Sequence, residues 1–434
     1  LIKIGIVTIC LLLLHANYKR GQLISAASVW VACYFVVFVV CPCVNEGPYS
    51  NELLIDKIAF AGIVLFAFGL LIGRRVSIRS GEETAKKLSC LQPDFALSAI
   101  GFGLLFVLSI LYIARTIGMS GVASVLNGSL TSKQLALGEE GGGTALLGWI
   151  QQFMVPCVLG MWFSRNNKKE NRLAISCLAL FSLEMALFSF TRIFFICTLL
   201  VVVMYEMRKK SARSQALISL AFIALVLVGM TALNVMRSNG LDDLDLKTVL
   251  DFDMILESTD FRYAYIYFDR ILDVDSPYIS PIVYLRFVFI FIPRSIWPDK
   301  PLTLNVQMMQ YYRGTSDTAG SAGFSILGEA YGVLGFIGFF VYPVVWGLLC
   351  AGFDKGYFKR LNSGQSVSFR DYAFFMFCSF VLISAHRGDW GTYVVNIVWC
   401  YLAPMYLLCK LKIARSEIGA HSAQRGLGSG EKRQ

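Results

Sequence analysis

Apolar runs of bilayer length recur along the whole chain, separated by short polar stretches. This is the pattern of a membrane bundle, not the one-sided stripe of a soluble helix. Eleven stretches predict spanning helices, at about 1–15, 23–41, 57–73, 95–114, 144–163, 173–189, 193–207, 215–233, 324–350, 372–386 and 391–409. Helix is the expected form because it alone satisfies its backbone hydrogen bonds within one segment in hydrocarbon. A further apolar run at 282–292, IVYLRFVFIFI, is too short to cross, carries Arg286 in its middle and runs into FIPRSIWPDKP at 291–301. It predicts an interfacial or re-entrant helix.

Composition agrees with the pattern. The 434 residues are 56% hydrophobic, 14% aromatic and only 16% charged, with mean hydropathy +0.61, far from the soluble range. The expected fold class is an all-α polytopic integral membrane protein with about 11 transmembrane helices, within a range of 10–12.

The net charge of +10 does not indicate nucleic acid, because the basic residues sit in short clusters beside apolar spans. Those clusters are Lys19-Arg20; Arg74 to Lys87; Arg165 to Arg172; Arg208 to Arg213; Lys355 to Arg370; and Lys410 to Arg415. With eleven spans all of them share one side, which the positive-inside rule makes cytoplasmic. Counting 282–292 as a span would turn the later clusters outward. The chain therefore divides into an N-terminal transmembrane bundle at 1–233, about eight spans; a large external loop at 234–323; C-terminal helices at 324–410, about three spans; and a basic tail at 411–434, expected to be disordered.

Most of the 12 cysteines lie inside apolar segments and read as packing residues. No GxxxxGK[ST] loop, HExxH or CxxC pair is present, which argues against an ATP-driven pump or a zinc protease. No metal or cofactor is expected. Leu1 opens directly on an apolar segment without a small-residue cleavage site, so no removable leader is expected, and the first helix is open to truncation.

The outer face prefers arginine: Arg237, Arg262, Arg270, Arg286, Arg294 and Arg313 in the large loop, with Arg192 and Arg387 in other outer turns. A guanidinium fork suits phosphate or carboxylate, although the loop's own acids offer an alternative partner for each. Three external features stand out. Ser189-Phe190-Thr191-Arg192 is a tight turn whose arginine either binds an anion or snorkels to headgroups. Arg294, Trp297 and Lys300 lie in a stretch stiffened by Pro293, Pro298 and Pro301. Ser384-Ala385-His386-Arg387-Gly388-Asp389-Trp390 forms a hairpin in which His386 or Asp389 is a candidate base, against a simple solvated turn. Intramembrane Glu184 and Glu329 are costly and therefore candidates for function. Gly328 and Gly332 around Glu329 have GxxxG spacing, the mark of close helix approach.

FIPRSIWPDKP, followed by GSAGFSILGEAYGVLGFIGFF at 320–340, resembles the bacterial O-antigen and oligosaccharide repeat-unit polymerases, the Wzy group. Those proteins have a Pro-Arg-x-x-Trp-Pro-x-Lys-Pro stretch before a Gly-Glu-x-Tyr-Gly helix entrance. The likeness is specific over about 282–350 and elsewhere rests on layout. It implies a GT-C-like bundle in the bacterial inner membrane with a periplasmic active face. Its donor and acceptor would be undecaprenyl-pyrophosphate-linked oligosaccharides, the growing glycan passing to a new lipid-linked repeat unit. Membrane lipid, a chain-length regulator and a flippase would be its partners.

The roles expected under the resemblance are pyrophosphate binding by Arg192, Arg237, Arg294, Lys300, Arg313 and Arg387; base catalysis by His386, Asp389 or Glu329; and sugar stacking by Trp297, Tyr311 and Tyr312. The alternatives are a lipid-linked oligosaccharide flippase or an O-antigen ligase. The flippase is disfavoured because the two halves show no matching hydropathy and charge concentrates on one loop.

Overall fold

The structure, a computed structural model, describes residues 1–44, 49–76, 91–126, 143–188, 192–239, 246–251, 254–255, 261–273, 279–287, 292, 296–313, 323–364, 367–388 and 390–412. Among these it is all-helical, without strands. Among the described residues, eight helical stretches are long and apolar enough to cross a membrane: Ile2–Lys19, Ala26–Cys43, Glu52–Arg75, Phe95–Thr116, Lys168–Phe188, Ala212–Val235, Ser325–Asn362 and Tyr393–Lys412. Ala212–Val235 is strongly apolar and mostly uncovered, with Leu217, Leu220 and Leu225 standing outward. Only lipid covers so continuous an apolar surface at low cost. The chain is a multi-pass helical membrane protein.

The other three predicted stretches are helical as well. Gly143–Ser164 is interrupted in its apolarity by Gln151, Gln152 and Pro156; Arg192–Met207 has 16 residues. A continuous helical path runs from Phe369 to Arg387 through a π-helical section at Phe377–Val381. The 282–292 run begins as a 3-10 helix, Pro281–Phe287; of the rest only Ile292 is described.

One predicted span changes character. The stretch expected as a single helix over 324–350 is a short helix, Ser325–Leu334, then a turn at Gly335–Ile337, then a long helix, Gly338–Asn362. Gly335 takes φ +61, a conformation a side chain would strain. The short helix then folds back on the long one: a Cβ at Gly338 would overlap the Ala330 carbonyl, and the Tyr331 and Phe339 rings stack at 5.5 Å. Every residue from Ser325 to Val333 is buried. Apolarity is continuous across the break, so hydropathy alone does not reveal it.

The chain forms two compact units, each made of three segments. The first comprises Leu1–Arg79, Leu199–Gln365 and Phe374–Asn396. Its tightest helix pair is Glu52–Arg75 against Gly338–Asn362: Gly69 lies on the Val344 backbone, Gly347 on the Phe66 backbone and Gly73 on Ala351. Without side chains the backbones approach closely and gain dispersion contacts that lipid cannot replace. Gly328 and Gly332, where the GxxxG spacing predicted such an approach, instead receive side chains, those of Phe268 and Phe324 and of Met308.

In the second unit, Ser80–Thr198, Ser366–Ala373 and Ile397–Gln434, Glu184 is buried. Its Oε1 accepts from Ser109 Oγ at 2.5 Å and Gln151 Nε2 at 3.0 Å, so three helices share one carboxyl.

The Ala26–Phe35 helix shows how the first unit is held. Its opening N–H groups have no intrahelical partner. Ser25 Oγ accepts from Ser28 N at 3.1 Å, and Asp354 takes the other two, from Ala26 N at 2.6 Å and Ala27 N at 3.2 Å. Carboxyl oxygens at this end also complement the helix dipole. Asp354→Asn removes one acceptor and turns an amide N–H toward a buried donor. We expect a loss of about 1–2 kcal/mol, read as lower thermal stability in detergent, with Asp354→Glu intermediate. An unchanged transition for Asn would show the cap to be dispensable.

Candidate functional site

The short Ser325–Leu334 helix and the 382–390 hairpin are built against each other. The helix Leu382–Arg387 stops at Gly388, whose φ of +96 suits glycine and whose N–H donates to Ala385 O at 3.1 Å. Gly388 lies against Phe324, a Cβ there falling 2.8 Å from Phe324 N. Gly323 faces the other way onto the hairpin: a Cβ on it would overlap the Arg387 carbonyl oxygen and come 2.7 Å from its carbon. Two glycines thus let two loops touch backbone to backbone.

Glu329 ties the same elements by hydrogen bonds. It is fully buried; its Oε1 accepts from Tyr284 Oη at 2.6 Å and its Oε2 from the Trp390 backbone N–H at 3.4 Å. Tyr284 also shares a hydrogen bond with Tyr342 Oη at 2.6 Å. Burial, reinforced by the neighbouring carboxylate, pushes the Tyr284 phenol well above its ordinary range, so it keeps its proton and donates. Its ring stacks on Trp390 at 4.9 Å, and Gly391 leaves room for it. Glu329 therefore joins the 3-10 helix, the folded-back helix and the hairpin.

His386 is buried behind this contact. Its Nδ1 lies 2.8 Å from Leu382 O and donates to it, which leaves Nε2 as the basic nitrogen. That atom is buried and has no partner among the described residues. Trp30 at 5.1 Å and Tyr34 at 6.1 Å meet the ring edge-on, and Trp30 is stacked on Phe66 at 3.7 Å. The helix capped by Asp354 thus supplies the wall behind His386.

The remaining candidates are less concentrated. Arg387 is half-buried at the hairpin; Arg313 ends the Leu304–Arg313 helix and is exposed. Lys300 is buried, and its Nζ donates to Ile292 O at 3.0 Å. Trp297 is half-buried and Tyr311 exposed. Tyr312 accepts from Arg270 Nη1 at 2.5 Å and meets Tyr267 at 5.8 Å; Tyr267 in turn packs on Tyr263 at 6.4 Å. Arg192 opens a helix of the second unit and Arg237 lies near the end of Ala212–Asn239, but their side chains are outside the described residues, as are Arg294 and Asp389 altogether.

The sequence reading missed Tyr284, Tyr342, Tyr263 and Tyr267. Tyr263, Tyr267 and Arg270 do carry a signal: their spacing puts them on one face of the amphipathic Phe261–Leu272 helix, opposite buried Ala264, Tyr265, Phe268 and Ile271. That helix is fastened by Asp269, which accepts from Asn51 N at 2.9 Å. Burial raises the Asp269 carboxyl above its usual range, and the backbone donors oppose that rise.

Searched against protein-family models, curated proteins and solved structures, the chain matches none.

Proposed function

We propose that this chain is a metal-independent membrane glycosyltransferase, an oligosaccharide repeat-unit polymerase with a GT-C-like bundle. It acts at the periplasmic face of a bacterial inner membrane. The observation that carries the reading is the packing of the Gly323–Glu329 stretch, part of the block that resembles such polymerases, onto the hairpin with His386 and Arg387. Two segments singled out independently in the sequence meet in one place. The side assignment rests on the positive-inside rule applied to the basic loops.

In the reaction an acceptor hydroxyl oxygen forms a bond to the donor sugar's anomeric carbon. The bond from that carbon to the pyrophosphate oxygen breaks, and its electron pair leaves with the lipid pyrophosphate. Fixed guanidinium groups, Arg387 first, stabilise the departing charge without reorganising at the moment of transfer. The hydroxyl proton passes to a base of the 386–389 hairpin, with Glu329 holding that hairpin in place.

Deleting the gene tests the reading. Surface glycan on a gel is expected to collapse from a ladder to lipid core bearing a single repeat unit, with the ladder restored by the intact chain. Wholly unsubstituted core would point to a flippase or ligase, and an unaltered ladder would remove the reading.

A further inference from the structure

The 298–301 end of FIPRSIWPDKP helps to frame an open cleft of about 420 Å³, whose polar lining comes from Ser280, Asp299, Lys300, Gln307 and Gln310. The volume falls within the range of small-ligand sites, roughly 300–1,000 Å³. Its walls are fixed from several sides. Ile279 N donates to Gly332 O at 2.8 Å, fastening one wall to the folded-back helix; Gln307 Nε2 donates to Leu302 O at 2.9 Å, fastening the strap 298–302 to the Leu304–Arg313 helix. Lys300 N donates to Trp297 O at 3.2 Å and closes the turn. Pro298 and Pro301 fix two backbone angles. A cavity made this way loses little freedom when it is filled.

The lining chemistry selects among ligands. The sequence alone places Lys300 as an anion ligand; its Nζ donates to Ile292 O at 3.0 Å, and its positive charge shares the lining with the carboxylate of Asp299. Asp299 is exposed, and Gln307 and Gln310 bring amides from consecutive turns of one helix. With one charge of each sign the lining carries no net attraction for a phosphate. A carboxylate, amides and a hydroxyl together accept from and donate to neighbouring sugar hydroxyls, while Ile282, Val283 and Leu302 offer an apolar face to the C–H side of a sugar ring.

We infer that this cavity is a sugar subsite, which holds uncharged residues of the glycan away from the pyrophosphate. The inference takes its substrate from the transferase reading, while the cavity's preference for neutral sugar over phosphate stands on the lining alone.

The test uses the full chain in nanodiscs. The probe is the glycan released by mild acid from the cells that carry the chain, titrated with inorganic phosphate as competitor. Asp299→Ala and Gln310→Leu are each expected to weaken glycan binding about tenfold, the worth of one or two hydrogen bonds, without lowering thermal stability. Phosphate is expected not to compete. Absence of glycan binding by the intact chain, unchanged binding in both variants, or displacement by phosphate would overturn the subsite. The two ideas fail separately: a gene deletion that leaves the ladder intact while the variants lose glycan binding keeps the sugar site and removes the transferase. The reverse pattern keeps the transferase and removes the site.

Discussion

Gly323→Val is expected to abolish long glycan chains while folded protein persists in the membrane. A Cβ at this position overlaps the carbonyl oxygen of Arg387 and lies 2.7 Å from its carbon. Backbone cannot swing aside as the tip of a flexible side chain can. The hairpin is also held from the other side, where Gly388 sits against Phe324 N and Glu329 accepts from Trp390 N. Relief must therefore come from shifting the Arg387 turn by an ångström or more. A displacement of that size can cost a catalytic site about a hundredfold in rate. Even Gly323→Ala is expected to show most of the effect. The bundle's own close contacts, at Gly69 and Gly347, are untouched, so expression and thermal stability in detergent should stay near the parent's. Gly352→Ala is the control, since nothing lies within 4 Å of a Cβ there. A normal glycan ladder from Gly323→Val would show that the placement of the hairpin does not matter to activity.

The helices were legible because hydrocarbon leaves a long apolar run few alternatives; Ala212–Val235 could hardly be anything else. The fold-back at Gly335 was not, since its neighbours on both sides are apolar and only a φ of +61 and the contact with Ala330 disclose it. The glycine rule pointed to the right residue type and the wrong helix face. Gly328 and Gly332 share a spacing with Gly69 and Gly73, but which pair meets another backbone depends on a partner far away in the chain. In the candidate site, Glu329 was conspicuous as a carboxylate in an apolar run. Its partner Tyr284 was hidden, because a tyrosine in IVYLRF reads as one more aromatic at a membrane surface. The contact of Lys300 was hidden for a related reason: that its ammonium donates to the Ile292 carbonyl depends on how a proline-rich turn closes.

Glu329→Gln and Glu329→Leu are expected to part company, and the gap between them assigns the residue its role. Glutamine has the shape of the carboxylate and can be seated either way round. With its oxygen toward Trp390 N–H, its amide donates to Tyr284, whose hydroxyl then donates to Tyr342, 2.6 Å away. Every member of the network keeps a partner, so stability should change by no more than about 1 kcal/mol. Leucine accepts from nothing. It leaves the half-buried Trp390 N–H without its carboxylate and Tyr284 dependent on Tyr342 alone, a loss of about 1–3 kcal/mol, with the hairpin released from the folded-back helix. Thermal unfolding in detergent and the glycan ladder measure the two consequences. As an anchor, Glu329 predicts a nearly intact ladder for Gln and a lost one for Leu. As the base that takes the acceptor's proton it predicts that both are inactive, because an amide cannot accept that proton, while the Gln protein remains as stable as the parent. Tyr284→Phe sharpens the comparison: it removes the donor to Oε1, so its effect should be much smaller in a Glu329→Leu background than alone.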